Sequence, residues 1–121
     1  MGLWRRYLDR RRRPVAVLAP SADGFCLSQG PAGRAVAWAQ IRRITAFKRD
    51  LLTTDCICLL LMLTDGIIEV HEEMEGFTAF RAGMERHFGL SPLWLIEIMS
   101  PAFATSPRDL YRHPDLIEQA R

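Results

Sequence analysis

The chain has 121 residues, 49% of them hydrophobic and 25% charged, with a formal net charge of +2. That is one domain's worth of sequence with enough apolar material for one core. Its longest uncharged apolar run, Ile57 to Leu63, is far short of the roughly 20 residues of a membrane-spanning helix.

The N-terminal residues MGLWRRYLDRRRRP are basic, and only Val15 to Ala19 separate them from Pro20. A stretch that short is no secretory leader. Arg6 stands where an N-myristoylation motif needs Ser or Thr. A cytoplasmic location is the expectation. The charge is unevenly spread: residues 1–50 carry eleven Lys/Arg against three Asp/Glu, and residues 51–121 carry five against eleven. Such asymmetry marks either a basic surface for an external partner or two halves that attract each other.

In chain order, residues 1–13 form a basic amphipathic segment. At 100° per residue Leu3, Trp4, Tyr7 and Leu8 share one arc and the charged residues lie opposite, which predicts a short helix closed by Pro14. Trp4 and Tyr7 beside Arg5, Arg6, Arg10, Arg11, Arg12 and Arg13 have the composition that settles on an anionic membrane surface. Nucleic acid is a weaker fit to the same residues. The third reading is that Leu3, Trp4 and Leu8 dock on the chain's own body.

Residues 14–90 carry the main domain. Val15 to Pro20 and Phe25 to Ser28 flank Ser21-Ala22-Asp23-Gly24, a hairpin signal. Gly30-Pro31-Ala32-Gly33 reads as a second turn. In AVAWAQIRRITAFKRD, Trp38, Ile41, Ile44 and Phe47 recur every three residues. This fits a helix stripe, or a strand ending at Trp38, a tight corner and a strand resuming near Arg43; the β-branched content favours the second. After a polar link over residues 49–55, two extended runs flank Asp65-Gly66, the strongest hairpin signal in the chain. The unbroken apolarity of residues 57–63 predicts a strand covered on both faces, as in a closed or nearly closed barrel.

From Phe77 the period turns helical. Phe77, Phe80, Met84 and Phe88 fall on one side, and Gly89 is placed to end the helix. Residues 91–121 begin with Ser91-Pro92 as a cap and first helical position for a short helix to Met99. A proline-containing extended tail, clamped by Phe103, Leu110 and Tyr111, is expected after it.

Chemistry-bearing residues are few. The three cysteines form no Cys-x-x-Cys, and Cys56 and Cys58, two apart in an apolar run, are expected to pack as small hydrophobes. There is no Gly-x-Ser-x-Gly, phosphate loop or dinucleotide glycine fingerprint. The densest cluster is EVHEEMEG, residues 69–76. On a strand, Glu69, His71 and Glu73 would share one face. His71-Glu72-x-x-Glu75 is not the His-Glu-x-x-His zinc pattern. The trio therefore reads as a solvated strand-end face or as a protein-contact patch, and no metal, cofactor or catalytic role is assigned to it. His87 and His113 have no nucleophile beside them in sequence, and the chain is expected not to be an enzyme.

The order of hairpin, strand, Trp38-x-x-Ile41-x-x-Ile44, strand, Asp65-Gly66 hairpin and amphipathic helix resembles bacterial pleckstrin-homology-like and GRAM-like domains over about residues 15–90. The resemblance implies an α+β fold, a strongly bent antiparallel sheet forming a split barrel plugged by its C-terminal helix. Lipid-binding members of that family use basic residues around the first hairpin, whereas Ser21-Ala22-Asp23-Gly24 has none. The stretches AFKRDL, DCICL, HEEMEGF and PAFA are also similar to small bacterial proteins, some resembling immunity proteins of toxin loci. That similarity implies a non-enzymatic, toxin-binding role. The expected partner is thus a protein contacted through Glu69, His71 and Glu73, with an anionic membrane held by the N-terminal segment as the alternative and a homo-oligomer also compatible.

Overall fold

The computed structural model describes residues 16–50, 55–99 and 107–115. Two antiparallel sheets and two helices make an α+β architecture. The first sheet is a meander of β1 (Val17–Pro20), β2 (Gly24–Gln29) and β3 (Ala32–Ala37), in that spatial order. Its register sets Ala19 against Cys26 and Phe25 against Val36. The second turn is tighter than the sequence indicates: it uses only Gly30 and Pro31, and Ala32 and Gly33 already pair with β2.

The corner between the sheets is a single 3-10 turn, Trp38–Gln40. The Trp38 N–H donates to the Asp23 carbonyl at 2.9 Å, and the Ala37 N–H donates to Gln40 Oε1 at 2.8 Å. The threefold spacing of Trp38, Ile41 and Ile44 therefore arises from strand, corner and strand. Trp38 reaches the core from the corner, and Ile41 and Ile44, three apart within β4, both face inward because the strand is irregular between Ile41 and Arg43.

The second sheet has the order β6-β5-β4-β7, with β4 Ile41–Asp50, β5 Asp55–Leu63, β6 Gly66–His71 and β7 Arg108–Arg112. The β5–β6 hairpin forms where Asp65-Gly66 marks it, but its two turn residues are Thr64 and Asp65, and Gly66 already pairs with Leu63. Within the proline-containing tail, Arg108–Arg112 is extended with Leu110 and Tyr111 packed against the core, and it is further a paired strand. β7 lies against β4 with Ile44 opposite Tyr111 and Thr45 opposite Asp109. Charge chemistry helps to hold it: Arg43 Nε donates to Asp109 Oδ1 at 3.0 Å, and the Thr45 hydroxyl donates to the same oxygen at 2.9 Å. The Phe88 and Tyr111 rings meet at 4.4 Å. Phe103 lies outside the described residues.

The two sheets do not close into a barrel. Their seam beside β1 is one parallel bridge, Val17 with Glu75, in which the Leu18 N–H donates to the Glu75 carbonyl at 2.7 Å and the Glu75 N–H to the Ala16 carbonyl at 3.1 Å. Gly76 follows with φ +83°, and a Cβ there would stand 2.0 Å from the Leu18 carbonyl oxygen. Only glycine lets the chain leave the seam this close to β1.

Helix α1 (Phe77–Phe88) starts there and ends at Gly89 in the left-handed region, with the Leu90 N–H reaching back to the Glu85 carbonyl at 2.9 Å. Its buried side packs into the core: the Phe80 ring lies edge-on to Phe25 at 4.9 Å and tilted against Trp38 at 5.7 Å. Phe80 and Met84 are completely buried, as are Ile44, Leu59, Leu61 and Val70 from the second sheet. A fully buried phenylalanine contributes about 1.5–3 kcal/mol through transfer from water alone. Helix α2 (Trp94–Met99) follows the Ser91-Pro92 cap, with the Leu93 N–H donating to Ser91 Oγ at 3.2 Å. Trp94 Nε1 donates to Glu85 Oε2 at 2.8 Å and ties the two helices together.

One core position breaks the apolar pattern. Lys48 stands opposite Ile57 on the inward face of β4 and is buried. Its ammonium meets Asp55 at 3.3 Å and the Met99 carbonyl, at the end of α2, at 3.4 Å. A buried charge persists only when paired and hydrogen-bonded in this way.

Candidate functional site

The β4–β5–β6 register decides which side chains share the outward face of the second sheet. Residues directly opposite each other point to the same side. Arg43, Met62 and Ile67 form one row; Thr45, Leu60 and Glu69 the next; Phe47, Cys58 and His71 the third; Arg49 and Cys56 the last. The inward face takes Ile44, Ala46, Leu59, Leu61, Ile68 and Val70. Both sides of β5 are therefore apolar, as its uninterrupted sequence requires, yet the outer side is only partly covered. Leu60 and Met62 are half-buried, and Ile67 is 63% exposed. Full coverage of β5 on both faces, expected for a nearly closed barrel, is thus not what the chain builds: the second sheet remains open at β6.

Across this face runs an ion pair. Arg49 meets Glu69 at 2.5 Å, and because the two residues sit in rows on either side of the Phe47–Cys58–His71 row, their side chains bridge it. The Arg49 guanidinium also lies 5.7 Å from the centre of the Phe47 ring, within cation–π range. Beneath them Cys58 is completely buried and Cys56 nearly so. Burial is the main cause that raises the Cys56 thiol, and it pushes Cys58 up to about 12, with the neighbouring Cys56 adding to the shift. Thiols held this way remain protonated near neutral pH, so they lack the thiolate that makes cysteine a nucleophile. Both pack as small apolar side chains, as the sequence indicates.

Of the three predicted contact residues, Glu69 and His71 do share this face. Glu73 does not share the strand with them. β6 stops at His71, and the Glu72 N–H and side chain turn back onto Ile57, the backbone donating to the Ile57 carbonyl at 3.0 Å and Oε1 accepting from the Ile57 N–H at 2.9 Å. The Met74 N–H then donates to the His71 carbonyl at 3.0 Å. Strict alternation ends where this turn begins, so Glu73 stands in the turn beyond the strand end, where its charge is still felt by Cys56. Glu72, Glu73 and Glu75 follow in the turn after His71, Glu72 bonded to Ile57 and Glu75 bridged to Val17 of β1. His71 Nδ1 is buried without a hydrogen-bond partner.

Among the described residues, no group of three or more His, Cys, Asp or Glu side chains could hold a metal ion. No helix among them is long and apolar enough to cross a membrane. His87 packs its ring 5.9 Å from Trp38 at the end of α1, while His113 Nδ1 accepts from the Asp115 N–H at 3.2 Å. The residues expected from the sequence to meet a membrane, Trp4, Arg5, Arg6, Tyr7, Arg10, Arg11, Arg12 and Arg13, lie outside the described residues.

A second concavity, of about 270 Å³, lies between α2 and β7, with Leu90, Leu93, Trp94 and Leu110 among its walls. Its charged groups already have partners: Arg108 pairs with Glu97, and Asp109 with Arg43 and Arg112. Arg49 is the residue that sequence reasoning missed at the outward face. Its signal was available in the two successive hairpins, which together fix the pairing of residues 49 and 56, but it required the register of three strands at once.

The chain matches no protein-family model, no curated protein and no solved structure.

Proposed function

We propose that this chain is a non-enzymatic protein-binding module of the pleckstrin-homology-like type, with a toxin-binding, immunity-like role. Its contact surface is the outward face of the second sheet around Glu69 and His71, extended by Glu73 in the adjoining turn. The observation that carries this reading is the composition of that face: exposed Ile67 and half-buried Met62 at its hairpin end and half-buried Leu60 in the next row, with Glu69, Arg49 and Glu73 towards the other end. Incompletely covered apolar side chains beside charged groups are what a protein interface uses. Glu69 and Glu73 favour a partner that presents lysines and arginines. Two antiparallel sheets with the buried side of α1 against Phe25 and Trp38 support the pleckstrin-homology-like comparison.

The test is a tagged pull-down from the native cell with the wild-type chain and with Glu69→Arg/Glu73→Arg. Capture of a basic protein by the wild type and its loss in the folded double variant is the expected result. Capture unaffected by the reversal, or a hydrolytic activity abolished by His71→Ala, would overturn it. The alternative, a peripheral membrane protein held by residues 1–13, predicts salt-sensitive co-sedimentation with anionic liposomes that is lost when the six arginines are replaced by glutamine.

A further inference from the structure

The β5–β6 ladder decides which main-chain groups of β6 remain to bond a further strand. In an antiparallel pair, opposed residues alternate between those that exchange both hydrogen bonds and those that exchange none. The Glu72 N–H donates to the Ile57 carbonyl, so along the register the exchanging pairs are Leu59–Val70, Leu61–Ile68 and Leu63–Gly66. The N–H and carbonyl groups of Ile67 and Glu69 therefore point away from β5. β6 is the last strand of its sheet, and among the described residues nothing bonds the main chain of Ile67 or Glu69 on that side. The His71 carbonyl, taken by the Met74 N–H, ends the free stretch.

The other strand edges are defended or featureless. β7 carries Arg108, Asp109 and Arg112 and meets β4 with a break in register, devices that keep foreign strands off an edge. β3 exposes only Ala32, Gly33, Arg34, Ala35 and Ala37, none of them a large apolar side chain. β6 pairs with β5 without a break, contains no proline or lysine, and leaves Ile67 63% exposed.

A second copy of the chain fits this edge poorly. Antiparallel pairing of β6 with itself centred on Glu69 sets two glutamates directly opposite, and centred on Ile68 it sets Glu69 against Ile67; like charges in opposition destabilise a sheet. A foreign strand can match both positions. Arg49 engages Oε1 of Glu69, which leaves Oε2 to accept from a cation on the partner. We infer that the β6 edge takes an extended segment of another protein as an added antiparallel strand, with a lysine or arginine opposite Glu69 and a β-branched apolar residue opposite Ile67. The inference rests on the recognition reading above and states its mode: main-chain bonds from Ile67 and Glu69 supply attachment, and the alternating side chains select the partner. In antiparallel order the segment reads basic residue, any residue, apolar residue, and its apolar side chain prolongs the Met62–Ile67 row.

A defined peptide tests this on the wild-type chain. Acetyl-Thr-Thr-Lys-Thr-Val-Thr-amide, added at millimolar concentration, is expected to shift the Ile67 and Glu69 amide resonances and to slow their hydrogen exchange. Methylating the lysine main-chain nitrogen removes one of the bonds to Glu69 and is expected to weaken binding about fivefold; replacing that lysine by glutamate is expected to weaken it as well. Shifts that fall elsewhere or nowhere overturn the inference, and so does equal binding of the methylated peptide. Protection of Ile67 and Glu69 that rises with protein concentration in the absence of peptide overturns it too, in favour of a second copy. Failure of the peptide leaves recognition through the side chains of the outward face standing, whereas a pull-down indifferent to Glu69→Arg/Glu73→Arg removes that reading whatever the peptide does.

Discussion

Replacing Gly76 by alanine strikes the one stitch that joins the two sheets beside β1. The added Cβ would stand 2.0 Å from the Leu18 carbonyl oxygen and 3.1 Å from its carbon. Ordinary carbon contacts sit near 3.5–4.0 Å, so β1 or the turn must retreat. The Leu18–Glu75 and Glu75–Ala16 hydrogen bonds, at 2.7 and 3.1 Å, stretch with that retreat. A non-glycine residue at φ +83° adds about 1–2 kcal/mol of left-handed strain, and each lost hydrogen bond costs about 0.5–1.5 kcal/mol. The total is about 2–5 kcal/mol. Urea unfolding followed by tryptophan fluorescence reads it out through the buried Trp38 and Trp94, and with slopes of about 1–3 kcal/mol/M the midpoint falls by about 1–2 M. Gly66→Ala is the control, because nothing lies within 4 Å of its added Cβ; it is expected to stay within about 0.5 kcal/mol of wild type. Gly76→Ala unfolding at the wild-type midpoint would refute the seam as described.

Three further outcomes follow from individual contacts. Phe80→Ala empties the place where α1 meets Phe25 and Trp38 and is expected to cost about 3–5 kcal/mol, measured by the same unfolding curve. Asp55→Ala removes the carboxylate that meets the buried Lys48 ammonium at 3.3 Å and is expected to cost about 3 kcal/mol; Lys48→Met/Asp55→Leu should recover most of it. Burial alone would raise the Asp109 carboxyl, but hydrogen bonds from Arg43 and Thr45 and the Arg43 and Arg112 charges outweigh it and hold the carboxyl below its ordinary 3.8. A group lowered by folding stabilises fully above its unfolded value and loses that contribution as pH falls through the folded one. Protection of the Leu110 and Tyr111 amides, the ratio of intrinsic to observed exchange rate, should therefore fall below about pH 3.8, and Asp109→Asn should show lower protection already at neutral pH.

Local chemistry made most of the second sheet legible. Asp65-Gly66 marks one hairpin to within a residue of its Thr64-Asp65 turn, and the change from extended to helical period at Phe77 fixes α1, because each signal acts over a few residues. β7 was not legible: Arg108–Arg112 contains only two apolar side chains, and what binds it comes from Arg43, Thr45 and Phe88 far back in the chain. Lys48 was unreadable as a core residue for the opposite reason, since a charge in the sequence announces solvent and only the fold supplies Asp55 and the Met99 carbonyl. At the candidate site, alternation placed Glu69 and His71 on one face and failed at Glu73, where the Glu72–Ile57 pairing turns the chain away. The pairing of Arg49 with Glu69 needed three strands in register, which no single segment encodes.

Site-specific photo-crosslinking in the native cell measures the outward face most directly. A photoreactive residue at position 69 should trap a partner protein, whereas one at Thr78, exposed on α1, should trap none. Adducts formed from position 78 but not from 69 would contradict recognition by the second sheet.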